Sequence, residues 1–96
     1  MAKVMDGIRV IEVAQFTFVP SAGGLLADWG ADVIKIEHPG RGDAQRAFIR
    51  WSGEPVDPNR NPMLEHSNRG KRSVGIDITH AAGRGLLYDM AKTPDV

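Results

Sequence analysis

The sequence has 96 residues, enough for one small domain, and its 42% apolar and 25% charged residues are those of an ordinary globular chain. Twelve basic residues balance twelve acidic ones, which argues against a nucleic-acid binder, because such a protein needs surplus cations to displace counterions. Without cysteine there is neither a disulfide framework nor a Cys-type zinc site. The opening MAKVMDGIRV lacks the apolar run of a signal peptide, and no stretch reaches membrane-spanning length. A cytoplasmic protein with no membrane partner is the expectation.

The Asp6-Gly7 pair is a turn signal, and the β-branched run IRVIEV, residues 8–13, predicts a buried strand. Residues 20–30 predict a helix. Pro20 suits the first turn, Ala22, Leu25, Leu26 and Trp29 share one face at helical spacing, and Gly30 is placed to end it. Gly23-Gly24 inside this helix suits close packing on a sheet. A second strand follows over residues 32–36. Strand, helix and strand in so short a span form a βαβ unit, which implies a parallel pair with a right-handed crossover.

Residues 38–71 are punctuated by Gly40, Gly42, Gly53, Pro39, Pro55, Pro58 and Pro62, and no period persists. They read as a loop without regular structure, save for a short helix over 44–51. A loop of that length inside a compact domain is often functional. SVGIDI, residues 73–78, alternates Val74, Ile76 and Ile78 against Ser73, Gly75 and Asp77 and predicts a third strand. Thr79 is placed to cap a second helix whose apolar stripe is Leu86, Leu87 and Met90. Pro94 follows that helix, and Asp95-Val96 opens a further strand. The fold class is α/β, a Rossmann-like parallel sheet segment made of βαβ and then a further strand and helix. A sheet needs its last strand completed and covered, so residues 1–96 read as the incomplete N-terminal part of a larger domain.

In open α/β sheets ligands collect beyond the carboxyl ends of the strands. Three segments qualify here: AQFTFVP, EHPGRGD and DIT. Glu37 stands where an acidic residue could hold a ribose hydroxyl, but residues 14–19 contain no glycine, so the G-x-G-x-x-G of a dinucleotide site is absent. His38, His66 and His80 share no ligand spacing, and no metal is expected.

Four segments carry a family likeness: MDGIRVIEVAQ, LLADWGADVIKIEHPGRGD, NRGKRSVGIDI, and the T-x-x-x-G-R-x-L-L helix that ends in KTPDV. In this order and spacing they resemble the N-terminal portion of the class III CoA-transferases. That family includes formyl-CoA transferase, L-carnitine CoA-transferase and alpha-methylacyl-CoA racemase. The likeness covers nearly the whole chain, with residues 44–66 undistinctive. It implies a Rossmann-like large domain completed by the remainder of the chain, an interlocked homodimer, and coenzyme A bound as an acyl-CoA substrate alongside a carboxylic acid. In the transferases an aspartate nucleophile carries the acyl group as a mixed anhydride and then becomes an aspartyl-CoA thioester. The racemases use a His and Asp pair. Either way the resemblance puts the catalytic residues beyond position 96 and leaves none among these.

The resemblance further assigns CoA contacts to Thr17 and Phe18 in the first loop, to His38 after the second strand, and to Ile76, Asp77, Ile78 and Thr79 after the third. Ile76, Asp77 and Ile78 would meet adenine, and His38 would stand near the phosphates. Many members carry Arg where this chain has His38 and Lys where it has Thr79, and the loss of a permanent, forked cation leaves Arg41 or Arg46 to supply it. Thr17 stands where formyl-CoA transferase has Gln, which weakens formate or oxalate as substrate. Lys71 and Arg72 read as anchors of the turn before the third strand, bonding loop carbonyls or pairing with Asp43 or Glu65. A phosphate contact is the other reading. The long connector over 42–71 favours a transferase. A racemase-like segment, or a non-catalytic CoA-binding fragment, is the alternative.

Overall fold

Six residues, DVIKIE, form the middle of the fold. The computed structural model describes residues 2–47, 50–51, 53–55, 57 and 59–96. In chain order these make β1 (Arg9–Glu12), α1 (Phe18–Asp28), β2 (Asp32–Glu37), a 3-10 turn (Ala44–Ala47), a hairpin of β3 (Arg50–Trp51) and β4 (Glu54–Pro55), α2 (Pro62–Asn68), β5 (Arg72–Gly75) and α3 (Ala81–Met90). β2 lies between β1 and β5 in a parallel sheet, with Val10 opposite Val33 and Ile36 opposite Val74. A central parallel strand is covered on both faces, and the four middle residues of β2 are all buried. On one face Val10, Ala31 and Val33 pack with Leu26 and Ala27 of α1. On the other, Ile34, Ile36 and Ile76 pack with Leu87 and Met90 of α3.

Beyond α3 the chain returns to the free edge of β1. The N–H groups of Asp95 and Val96 donate to the Arg9 carbonyl at 2.9 and 3.2 Å, and the Ile11 N–H donates to the Val96 carbonyl at 2.9 Å. The strand-like start at Asp95-Val96 therefore pairs on the side of β1 opposite β2. That placement reverses the winding direction, as in doubly wound α/β sheets.

The buried face of α1 differs from the expected stripe. Pro20, Gly23 and Gly24 are buried, whereas Leu25 and Trp29 are 48% and 50% exposed; of the stripe, Leu26 packs in the core. The cause is closeness. A Cβ on Gly23 would overlap the Glu12 carboxylate of β1, and one on Gly24 would lie 3.1 Å from the Ser67 carbonyl of α2. Only small residues fit there, so the larger apolar side chains turn outward.

Further expectations are corrected. Residues 38–71 hold regular structure, because Asn61 caps α2 by accepting the Leu64 N–H at 3.2 Å and Pro62 occupies the first helical turn. Of the short helix expected over 44–51, residues 44–47 form the 3-10 turn, while residues 48 and 49 lie outside the described residues. The third strand stops at Gly75, since Asp77 Oδ1 accepts both the Thr79 N–H at 3.0 Å and its hydroxyl at 2.6 Å, folding a turn. His80, rather than Thr79, is the N-cap of α3. Leu86 is exposed, and Leu87 and Met90 make the contacts with the sheet.

Two helical glycines give opposite expectations. Gly23→Ala drives a methyl group into Glu12 and should lower stability by about 1–3 kcal/mol. Gly85, inside α3, has nothing within 4 Å of its missing Cβ, so Gly85→Ala should raise stability by about 0.5–1 kcal/mol. Urea midpoints of the two variants check the pair of signs.

Candidate functional site

Period-2 alternation puts Glu12 and Lys35 on the α1 face of the sheet, immediately beyond Val10 and Val33. Both are buried charges, with side chains 2% exposed. Lys35 Nζ has three oxygen neighbours: Asp43 Oδ2 at 2.7 Å, Glu12 Oε2 at 3.1 Å and the Ala14 carbonyl at 3.3 Å. Lys71, at the entry to β5, donates to Glu12 Oε1 at 2.7 Å, the Pro20 carbonyl at 2.7 Å and Asn68 Oδ1 at 3.0 Å. Asp43 Oδ1 accepts the N–H groups of Phe16 at 3.0 Å and Gln45 at 2.9 Å. Phe16 has φ +68°, an uncommon value for a residue with a side chain. Its bond to Asp43 holds that bend.

Two cations thus neutralise two anions, and the loops after β1 and β2 are tied to one cluster. Burial holds the Lys71 ammonium below its usual pKa against the opposing pull of Glu12. Lys71 does act as an anchor, but through the carbonyl of Pro20 in the first turn of α1 rather than a loop carbonyl. Its carboxylate partner is Glu12, not Asp43 or Glu65.

Above this cluster, at the carboxyl ends of β1, β2 and β5, lies a cleft of about 890 Å³. Its lining draws on all three strand-end segments singled out in the sequence, including Gln15, His38, Arg41, Ile78 and Thr79. Ile36 and Ile76 form a wall that is also sheet core. The loop after β2 is closed by His38, whose Nδ1 accepts the N–H groups of Gly40 at 3.0 Å and Arg41 at 3.2 Å while its carbonyl accepts the Gly42 N–H at 2.8 Å. With Nδ1 accepting, Nε2 carries the ring proton, and it faces Asp77 Oδ2 at 3.6 Å. His80 Nε2 stands 3.5 Å from the same oxygen. The Thr79 hydroxyl, then the Thr79 N–H, hold the Asp77 carboxyl below its usual range, and His80 and His38 add to that. A Cβ at Gly75 would lie 3.3 Å from Pro39 Cα, so the glycine ending β5 lets this loop ride over it.

Of the residues predicted for the site, His38, Ile76, Asp77, Ile78 and Thr79 come together around the cleft. Thr17 and Phe18 stand outside its lining. Thr17 is the N-cap of α1 and its hydroxyl lies 3.5 Å from Gln45 Nε2; Phe18 is 92% exposed. Within the AQFTFVP segment it is Ala14 and Gln15, rather than the assigned Thr17 and Phe18, that line the cleft, together with Val13 just before it, which sequence reasoning missed although it follows β1 directly. Arg46 is held by Glu37 at 2.9 and 3.2 Å. Arg69 forks onto Asp28, and Arg72 pairs with Asp32 at the amino end of β2. Neither Arg69, Lys71 nor Arg72 lines the cleft. Among the described residues no group of side chains is arranged to hold a metal ion, and no helix is long and apolar enough to cross a membrane.

Comparison with known proteins bears on this cleft. The family model described as CoA-transferase family III matches residues 5–96. The chain is 44% identical over 94 residues to a succinate–glutarate CoA-transferase of Agrobacterium fabrum, covering 96% of this chain and 24% of that protein. It is 38% identical over 96 residues to a formyl-CoA:oxalate CoA-transferase of Rhodopseudomonas palustris, covering all of this chain and 22% of that one. A crystal structure of a hypothetical protein from Mycobacterium tuberculosis superposes with a TM-score of 0.82 at 37% identity, over 98% of this chain and 24% of the other. The chain therefore spans about a quarter of the length of the relatives it matches.

The buried cluster has a pH signature. Burial pushes the Asp43 carboxyl up, but the Lys35 ammonium and the N–H groups of Gln45 and Phe16 outweigh it, so the group titrates below its usual value. An acid held low in the fold confers stability that is complete above its unfolded pKa of about 3.9 and is lost as pH falls through the folded value. Asp43→Asn leaves two ammonium groups to one carboxylate and should lower stability by roughly 3–5 kcal/mol at pH 7. The gap between parent and variant, followed by urea denaturation, should narrow as pH falls below about 4. A gap of constant size would mean that the charge of Asp43 contributes nothing.

Proposed function

This chain belongs to CoA-transferase family III, and from that premise we propose that its cleft receives the nucleotide end of coenzyme A in an enzyme that moves CoA between carboxylic acids. The observation that carries this reading is that the three strand-end segments converge on one cleft with an apolar wall and a few polar groups at its mouth. Small-molecule sites have that composition. In this reading adenine lies against Ile76, Asp77 and Ile78, with the Thr79 turn fixing the end of that wall. The phosphates face the loop of His38 and Arg41. Thr17 and Phe18 are assigned to the remainder of the ligand, beyond the cleft.

Catalysis is assigned to an aspartate nucleophile outside these 96 residues, acting through an aspartyl-acyl anhydride and an aspartyl-CoA thioester. The part given to this chain is to bind and orient. Pairing with a second identical chain belongs to the same reading. That both relatives described above are named CoA-transferases supports transfer over racemisation.

Calorimetric titration with CoA, and separately with NAD, tests the binding half. Saturable CoA binding with a flat NAD titration is expected. No CoA binding, or NAD displacing CoA, would sink the reading. In the whole protein, mass spectrometry should find CoA moved from an acyl-CoA to a free carboxylic acid; loss of stereochemistry at the carbon beside the thioester, without transfer, would favour the racemase alternative.

A further inference from the structure

The charged groups around the cleft separate into committed and uncommitted ones. Glu37 is committed to Arg46 through two contacts, at 2.9 and 3.2 Å. Asp43 is committed to Lys35 at 2.7 Å within the buried cluster. Asp77 is held by Thr79 and faced by two imidazoles. Arg41 is different. Its backbone N–H donates to His38 Nδ1, but among the described residues its guanidinium has neither an ion-pair nor a hydrogen-bond partner, and it lines the cleft. It is the permanent cation of that lining with nothing yet to neutralise it.

The loop that carries Arg41 is fixed before any ligand arrives. Three bonds to His38 close residues 38–42, Gly42 takes a φ of +69°, and Pro39 rests over Gly75. The same bonds give His38 a task other than meeting an anion. A ring whose Nδ1 accepts two N–H groups has only its Nε2–H left to offer, and that group faces the Asp77 carboxylate at 3.6 Å, a negative charge beside any phosphate it would meet.

We propose that the Arg41 guanidinium holds a phosphate of the CoA nucleotide, and that His38 acts as a positioning residue that shapes the loop beneath it. This rests on the CoA reading above. A planar fork on a pre-ordered backbone suits a phosphate's paired oxygens, and its position is fixed without a conformational search on binding.

The test uses calorimetric or fluorescence titration of CoA and of adenosine into the parent, Arg41→Gln, His38→Asn and Arg72→Gln. Arg72→Gln removes the same charge at the far end of the strands. Arg41→Gln should weaken CoA roughly tenfold or more and leave adenosine unchanged, because the lost contact is to phosphate alone. Arg72→Gln should leave CoA affinity within about twofold, exposed and distant charges being screened. An Asn side chain can accept the N–H two residues on in an Asx turn, so His38→Asn should retain most of the affinity. If the parent binds CoA and Arg41→Gln binds it equally well, the inference is overturned while the CoA reading stands. A large loss in His38→Asn beside an unchanged Arg41→Gln would transfer the phosphate contact to His38. A parent that does not bind CoA overturns the CoA reading itself.

Discussion

The fold turns on a buried knot of two carboxylates and two ammonium groups. Taking four ions out of water is expensive, and a charge buried without a partner would be worse than an apolar residue in its place. Here the balance is met locally. Both oxygens of Glu12 are engaged, one by each lysine, and Lys71 donates to three oxygens from three different segments. A network closed in this way is rigid, since any displacement strands a charge in a region of low dielectric. It also joins β1, the start of α1, β2, the loop at Asp43 and the entry to β5, which local bonding alone would leave independent. Gly23 belongs to the same constraint, because a side chain on α1 at that point would occupy the space of the Glu12 carboxylate.

The cleft inherits its shape from that knot. Ala14 on one lip gives its carbonyl to Lys35, and Asp43 on the other gives Lys35 its carboxylate. The separation of the two lips is therefore set from below. Phe16 shows the strain this entails, held at a left-handed φ by a hydrogen bond to Asp43. The third wall is held differently, by the short turn in which Asp77 accepts from Thr79. A ligand entering meets surfaces already in place, so little of its binding energy goes to ordering the protein.

What was legible in the sequence follows from which signals are local. The parallel sheet was legible because a strand buried on both faces is rich in β-branched apolar residues, and DVIKIE with IRVIEV has them at Val33, Ile34, Ile36, Val10 and Ile11 despite the charges of Lys35 and Glu12. The three ligand segments were legible because parallel strands gather their carboxyl ends on one side. The packing face of α1 was not, since apolar periodicity marks Leu25 and Trp29 while the close approach is made by glycines, which carry no hydrophobic signal. α2 was hidden by prolines that read as punctuation, although Asn61-Pro62 is also a good helix start. The partner of Lys71 was invisible for another reason. Glu12 is 59 residues away and sits at the end of an apolar strand, where a carboxylate looks like an exit to solvent rather than the centre of a core.

Net neutrality misleads in the same way. Twelve cations against twelve anions describe the chain as electrostatically featureless, but a potential depends on which charges are cancelled at contact distance. Lys35 and Lys71 are cancelled inside the knot, Arg46 by Glu37 and Arg69 by Asp28, while Arg72 and Arg9 share the one carboxylate of Asp32 at the far end of the strands. Each of these pairs fixes structure and contributes little field beyond itself, so an uncancelled guanidinium at the mouth of a cleft with apolar walls dominates its surroundings. A chain with no surplus charge can therefore still present a local positive potential at one place on its surface.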